Sequence, residues 1–277
     1  MSTGNLLTDI PELYEQRFPD PHHLAARWTH ETLRRYGGGA RVLDVGCGTG
    51  RDAAWLHHHA GCDVVGIDTS AAMAAHARAH HPGPRYLRAD MRDFDLSDTF
   101  DAVVCLDSAL LYCHHNHDLV AFPERCAHHL APGGLLVAEM RNAAFFLAGE
   151  GGTALLDAPR VDTLARRGIT HTSHTTLRID HAAQLLRRRR TWTTDDGSPP
   201  RVEDSAWRLL FPQELRHFLD TAGFDVLALH DRPGPLTDPP WTEGEPAGTT
   251  TRGDRLHVVA RLRGHRHTHH DPENRRP

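Results

Sequence analysis

The chain has 277 residues, 39% of them hydrophobic and 24% charged, which fits one elaborated α/β domain and excludes disorder, collagen and coiled coil. Lys plus Arg number 31 against 36 Asp plus Glu, a net charge of −5 with His neutral. The surface therefore lacks the basic excess that gathers phosphates, and no nucleic-acid partner is expected. All 31 basic residues are Arg, which rules out chemistry that needs a P-loop, Schiff-base or kinase-type lysine.

Cys47, Cys62, Cys105, Cys113 and Cys126 are odd in number and contain no C-x-x-C pair, as suits reduced thiols in a cytoplasmic enzyme. No window approaches the ~18 consecutive apolar residues of a membrane span, and the first residues carry no signal-peptide pattern, so no membrane partner is expected. The 24 His are scattered without Cys or carboxylate partners at ligand spacing, so no metal is expected. The segment Gly264 to Pro277 (GHRHTHHDPENRRP) is expected to be a disordered His-rich tail.

In chain order, residues 1–36 form an N-terminal helical lid that includes an amphipathic stretch, Leu24 to Tyr36. Strands are then expected at Arg41 to Val45, Asp63 to Ile67, Arg85 to Ala89, Phe100 to Leu106 and Leu135 to Met140. Helices alternate with them near Asp52 to His59, Ala71 to His81 and Asp118 to Leu130. That rhythm builds a parallel sheet covered on both faces. The rhythm changes over 141–210, where Ile169 to Asp180, Ala183 to Thr194 and Arg201 to Leu210 are Thr- and Arg-rich and predict an antiparallel insertion. A helix from Phe211 to Ala222, a strand from Phe224 to His230, a Pro/Gly-rich loop and a last strand from Arg255 to Leu262 complete one domain over 1–263.

The segment from Val42 to Gly50 (VLDVGCGTG) is an apolar strand ending in an acid, three alternate glycines and a helix start. A dinucleotide fingerprint needs Gly where Arg51 stands, and an acid at this strand end would repel a pyrophosphate. Asp44 suits a cationic ligand group. Asp68 ends the second strand, where a carboxylate accepts from both hydroxyls of a ribose, so a nucleoside is implied. Asp90 and Met91 at the third strand end and Leu106, Asp107 and Ser108 at the fourth point to the same crevice.

In order, LDVGCGTG, GIDTSAAM, RADMRDFDL, FDAVVCLDSALLY and LAPGGLLVAEM resemble the motifs of class I S-adenosylmethionine-dependent methyltransferases. The resemblance runs from about Tyr14 to Leu262. It implies a seven-stranded Rossmann-like, doubly wound sheet with the antiparallel insertion as cap, and S-adenosylmethionine as cofactor. Gly46, Gly48 and Gly50 would embrace its methionine part, with Cys47 filling a small loop position, and Asp44 would help hold its amino group. Asp68 would bind the ribose, Thr69 and Met73 would line the nucleoside, Asp90 and Met91 would meet the adenine, and the Leu106 carbonyl would face the ammonium. Tyr14, in YEQRFP, looks like part of a lid over the cofactor.

Methyl transfer from a sulfonium needs mainly alignment and exclusion of water, so catalytic residues leave a faint trace. His114 and Tyr112, just after the fourth strand, are the catalytic candidates, and Arg141 and Trp207 the acceptor-binding ones. The expected function is methyl transfer to an N or O atom of a small-molecule acceptor by a monomer or homodimer, with insertion and lid resembling those of amino-sugar and other natural-product N-methyltransferases. Two alternatives stand beside it. An RNA or protein methyltransferase would dock through the Arg-rich insertion, and a non-catalytic protein would only bind S-adenosylmethionine.

Overall fold

The computed structural model describes residues 5–147, 154–156 and 158–264. The expected disordered tail, Gly264 excepted, lies outside them. A seven-stranded sheet forms from β1 (Arg41–Val45), β2 (Asp63–Asp68), β3 (Arg85–Arg88), β4 (Phe100–Cys105), β5 (Leu130–Arg141), β10 (Phe224–His230) and β11 (Arg255–Leu262). Its order is β10-β11-β5-β4-β1-β2-β3, parallel except where β11 runs antiparallel to both neighbours. The central strands are apolar on both faces because helices cover both. Leu43 and Val45 join one buried layer with Phe122 of α6 (Asn116–His129) and Leu215 of α7 (Pro212–Thr221). Val42 joins the other with Trp28 of α3 (Leu24–Tyr36), Leu56 of α4 (Arg51–Ala60) and Ala77 of α5 (Ala71–His80).

Local chemistry sets the helix ends. Ser70 caps α5 by accepting from the Met73 N–H, and the Glu214 carboxylate reaches back to the Phe211 N–H at the start of α7. Gly37 ends α3 in the left-handed conformation, and the Gly38 N–H closes the last turn onto Leu33. No helix among the described residues is long and apolar enough to cross a membrane, and all five cysteines are free.

The insertion is a separate antiparallel meander, β6 (Arg160–Arg166), β7 (Ile169–Asp180), β8 (Leu185–Thr194) and β9 (Arg201–Arg208). It has four strands where three are expected. The extra one, β6, reads RVDTLAR and buries only Leu164, so it carries little apolar signal. The lid comprises α1 (Leu6–Asp9) and α2 (Pro11–Arg17), which lie between the main sheet and the cap. Leu6, Leu7 and Leu13 pack with Leu164 and Trp192 of the cap, while Arg17–Asp162, Arg166–Glu12 and Arg201–Asp9 pairs tie lid to cap.

Candidate cofactor and acceptor site

The ends of β1, β2, β4 and β5 and the start of β11 share one edge of the sheet, which lid and cap reach through Tyr14–Asp107 and Arg141–Trp207. Gly46 and Gly48 lie at φ +78° and +54°, a region that disfavours side chains. A Cβ on Gly46 would stand 2.7 Å from that of Ala109, whereas one on Gly48 would meet nothing within 4 Å. Open space above Gly48 leaves its backbone approachable by a ligand. The Gly46 and Cys47 N–H groups both donate to the Ile67 carbonyl, which locks the loop against the end of β2.

Asp68 accepts from the Gly48 N–H at 3.0 Å through Oδ2 and from the Ser70 N–H at 2.8 Å through Oδ1. Burial raises its pKa against these two bonds. Asp44 is buried, with 4% of its surface exposed; burial pushes it well above the usual carboxylate range, and nearby Asp52 and Asp68 push the same way. Burial drives Asp52, in the first turn of α4, up to about 6 despite the neighbouring Arg51, and its Oδ1 has no partner. Three acids crowd here, and a cationic ligand group relieves their mutual repulsion. Burial also raises the Cys47 thiol, which keeps it unreactive.

The nucleoside end differs from expectation in one respect. The Asp90 carboxylate is gripped by Arg92, through Nε at 2.8 Å and a terminal nitrogen at 2.5 Å, and this holds it below the usual carboxylate range. Only its remaining lone pairs are open to an adenine amino group. The Met91 sulfur stands 3.6 Å from that of Cys113. Met73 is fully buried, 1% exposed, whereas Thr69 is exposed and its carbonyl accepts from Arg88.

Tyr14 of the lid donates its hydroxyl to Asp107 Oδ2 at 3.0 Å, so the lid touches the end of β4 beside Leu106. Asp107 and Ser108 both have positive φ, +45° and +65°, a conformation that costs non-glycine residues energy and concentrates at functional sites. Their backbone is held by Glu139 of β5: the Asp107 N–H donates to its side chain at 2.9 Å and the Ser108 N–H to its carbonyl at 3.0 Å. Arg255 of β11 pairs with Glu139 at 3.0 Å and stands 3.8 Å from Asp107. Burial pushes Glu139 up to about 7 against the opposing pull of Arg255.

The cap presents its inner face to this network. Two guanidiniums stand over the Trp207 ring, Arg141 at 5.4 Å and Arg188 at 4.4 Å, so the structure brings together the two expected acceptor residues. Arg190, buried, stacks over Trp192, donates through Nε to Thr175 and leaves one terminal nitrogen unpartnered. Strand alternation sends Arg188 and Arg190 inward, while Arg189 is exposed and Arg187 pairs with Asp180. Among the described residues, no carboxylate forms an ion pair with Arg141, Arg188 or Arg190. Burial lowers Arg141 and Arg190 to about 10, and both remain cations at neutral pH.

The two catalytic candidates are placed less favourably. Tyr112 is 44% exposed. One ring nitrogen of His114, Nε2, bonds the Ala206 carbonyl at 2.8 Å, which ties the post-β4 turn to the cap. Asp107 is better placed than either, through its contact with Tyr14. Sequence reading missed Asp52, Glu139, Arg188 and Arg255 as site groups; a charged residue inside the apolar run of β5, Glu139, was the available signal.

A family profile described as Methyltransferase domain matches residues 42–134. A dTDP-3-amino-3,6-dideoxy-alpha-D-glucopyranose N,N-dimethyltransferase from Streptomyces fradiae is 36% identical over 135 residues, 47% of this chain and 52% of that protein. A dTDP-3-amino-3,4,6-trideoxy-alpha-D-glucopyranose N,N-dimethyltransferase from Streptomyces venezuelae is 39% identical over 98 residues, 35% of this chain and 41% of that one. The chain thus spans about half or less of the length of these curated relatives. Solved structures extend the likeness over nearly all of both chains. The sugar N-methyltransferase KedS8 from Streptoalloteichus matches with a TM-score of 0.70 and 26% identity, over 95% of this chain and 96% of the other. Over residues 42–134 the chain is similar to methyltransferase domains, and over nearly its whole length its fold is that of solved S-adenosylmethionine-dependent methyltransferases. Another methyltransferase of this fold, an amino pentose methyltransferase from Micromonospora echinaspora solved with S-adenosylmethionine bound, matches with a TM-score of 0.67 and 25% identity, over 91% and 97% of the two chains.

Proposed function

We propose that this chain is a cytoplasmic enzyme that binds S-adenosylmethionine in the acid-lined crevice and transfers its methyl to an N or O atom of a small-molecule acceptor held under the cap. The finer reading is an amine acceptor that carries an anionic group such as a phosphate. The observation that carries it is the pairing of two unlike surfaces: Asp44, Asp52 and Asp68 on the crevice side, and facing them Arg141 at the end of β5 with Arg188 and Arg190 of the cap, three guanidiniums without a carboxylate partner among the described residues. The first set fits a cationic amino acid joined to a ribose, and the second fits an anion whose oxygens accept paired guanidinium N–H bonds, as those of a phosphate do. The curated relatives that act on dTDP-amino sugars support this reading.

S-adenosylmethionine supplies an activated methyl on a sulfonium. Asp68 would accept from the ribose hydroxyls, Asp44 and Asp52 would hold the ammonium, and the open backbone at Gly48 would let the methionine part lie close. The lid, tied to the crevice by Tyr14 and Asp107, excludes water from the transfer. An amine must be neutral when it attacks, and Asp107, which accepts from Tyr14 of the lid, would take its proton. Trp207, held by Arg141 and Arg188 over its ring, would orient the acceptor in line with the methyl. Arg190 is buried and Arg188 stacks over Trp207, which withdraws two of the four arginines of the run from any RNA docked on the insertion and argues against that reading.

Paired acceptors test the finer reading. An amino sugar and its nucleoside diphosphate conjugate are compared at equal concentration, and the expected result is a markedly lower KM for the conjugate, lost in Arg188→Gln. Equal KM values would remove the anion from the proposal.

A further inference from the structure

We propose that Glu15, His76 and His81 form a divalent-cation site, of the kind zinc occupies, that fastens the lid to α5. Glu15 is on lid helix α2, His76 on the body of α5, and His81 immediately after that helix. Glu15 Oε1 is 2.9 Å from His81 Nε2 and 3.6 Å from His76 Nε2. One ligand atom from each residue lies within 4.8 Å of the other two. Two imidazoles and one carboxylate, with a further position for water, are a donor set that zinc accepts.

The second observation is at His76. It is 8% exposed, and its Nε2 has no hydrogen-bond partner, so a buried nitrogen aimed at a carboxylate is left unsatisfied. Such atoms are rare and need an explanation, and a metal ion is one that also satisfies Glu15 and His81. The ring is held in place by stacking on His80, with centroids 4.1 Å apart. His81 is held by its backbone, whose carbonyl accepts from the Tyr86 hydroxyl at 2.8 Å while that hydroxyl also reaches the Gly50 carbonyl. A second grouping, Asp95, His128 and His129, offers less: His129 Nδ1 bonds the Arg125 carbonyl and its Nε2 accepts from the Leu96 N–H, so neither nitrogen is free.

The consequence is mechanical. Glu15 follows Tyr14, whose hydroxyl reaches Asp107, and precedes Phe18, whose carbonyl accepts from Arg51 of α4. A metal bridging Glu15 to α5 would therefore hold the lid down beside two contacts it already makes with the crevice.

The experiment uses the full chain with His265, His267, His269 and His270 replaced by Ala, which silences the His-rich tail. Zinc is titrated calorimetrically, cobalt is used for its visible absorption, and amide hydrogen exchange is followed across residues 5–19 with and without zinc. The expected results are one high-affinity ion per chain, an intense cobalt spectrum of low coordination number, and at least tenfold slower exchange in the lid when zinc is bound. Glu15→Gln and His81→Gln, both on partly exposed side chains, should each weaken binding at least tenfold with melting temperature preserved, and His76→Gln should do the same. Unaltered affinity in Glu15→Gln and His81→Gln would overturn the site, as would failure of the parent to bind. Binding without slower lid exchange would overturn the clamp.

Discussion

Asp68→Ala is the most informative single change, because the side chain has two separable duties. It would accept from two ribose hydroxyls, and it already accepts from the Gly48 and Ser70 N–H groups. A hydrogen bond to a charged group is worth about 1.5–3 kcal/mol, so losing both ribose contacts should weaken S-adenosylmethionine binding by about 3–6 kcal/mol, roughly 10²- to 10⁴-fold. Two unpaired backbone N–H groups add about 1–3 kcal/mol each to the stability cost if water cannot reach them. Isothermal calorimetry for the cofactor and its demethylated product, with a denaturation curve on the same protein, separates the two duties. Unchanged affinity in a folded Asp68→Ala protein would refute the placement of the ribose. A large stability loss with normal affinity would show that Asp68 serves the loop alone.

Cofactor binding should depend on pH through Asp52, whose pKa in the free protein stands near 6 because of burial. A cationic ligand binds the ionised form, so affinity should fall as pH drops through that value, by up to about tenfold per pH unit, with proton release on binding; Asp44, which burial pushes well above its usual range, adds to the dependence, so Asp52→Asn should remove only the step near 6 in calorimetry. Trp207→Ala should raise the acceptor KM with little change in cofactor affinity, and because the ring is only partly buried, the stability loss should stay below the ~3–5 kcal/mol of a fully buried aromatic. A destabilised protein with normal acceptor KM would make Trp207 packing and nothing more. Gly48→Ala should cost about 1–2 kcal/mol of stability from its positive φ yet strongly weaken cofactor binding, since its methyl enters open crevice. Gly50→Ala, whose Cβ would stand 2.7 Å from that of Ala77, should lose more stability, which thermal melts of the pair will show.

The half of the candidate site proposed for the cofactor could be read from sequence because its residues are local. Asp44 and the three glycines fall within one strand and turn, and Asp68 ends the next strand, so a linear pattern fixes their positions. The acceptor half is assembled from distant segments. Arg188 and Trp207 are neighbours only because β8 and β9 pair with Leu186 opposite Trp207, and Arg141 reaches them from the far end of β5. The Arg187–Arg190 run reads from sequence as a solvated surface of the insertion, whereas Arg190 is buried beside Trp192 and Arg188 stands over Trp207. Glu139 and Arg255 were hidden inside strands that read as core, and their pairing depends on the antiparallel register of β5 and β11. The expectation that no ligand cluster exists was drawn from short spacing, whereas Glu15 and His76 lie far apart in sequence and meet only through the lid. The strand β6 was missed because four of its seven residues are exposed and pattern reading depends on burial.

Transfer of a deuterated methyl group from labelled S-adenosylmethionine tests the central claim most directly. The protein is incubated with the cofactor and separate pools of anionic amino sugars, neutral amines, RNA and protein extract, and each pool is analysed by mass spectrometry. Label should appear as one or two methyl groups on a small-molecule amine in the anionic pool, with the product of the cofactor formed in equal amount. Label in RNA or protein, or no label in any pool from a protein that binds the cofactor, would contradict the account.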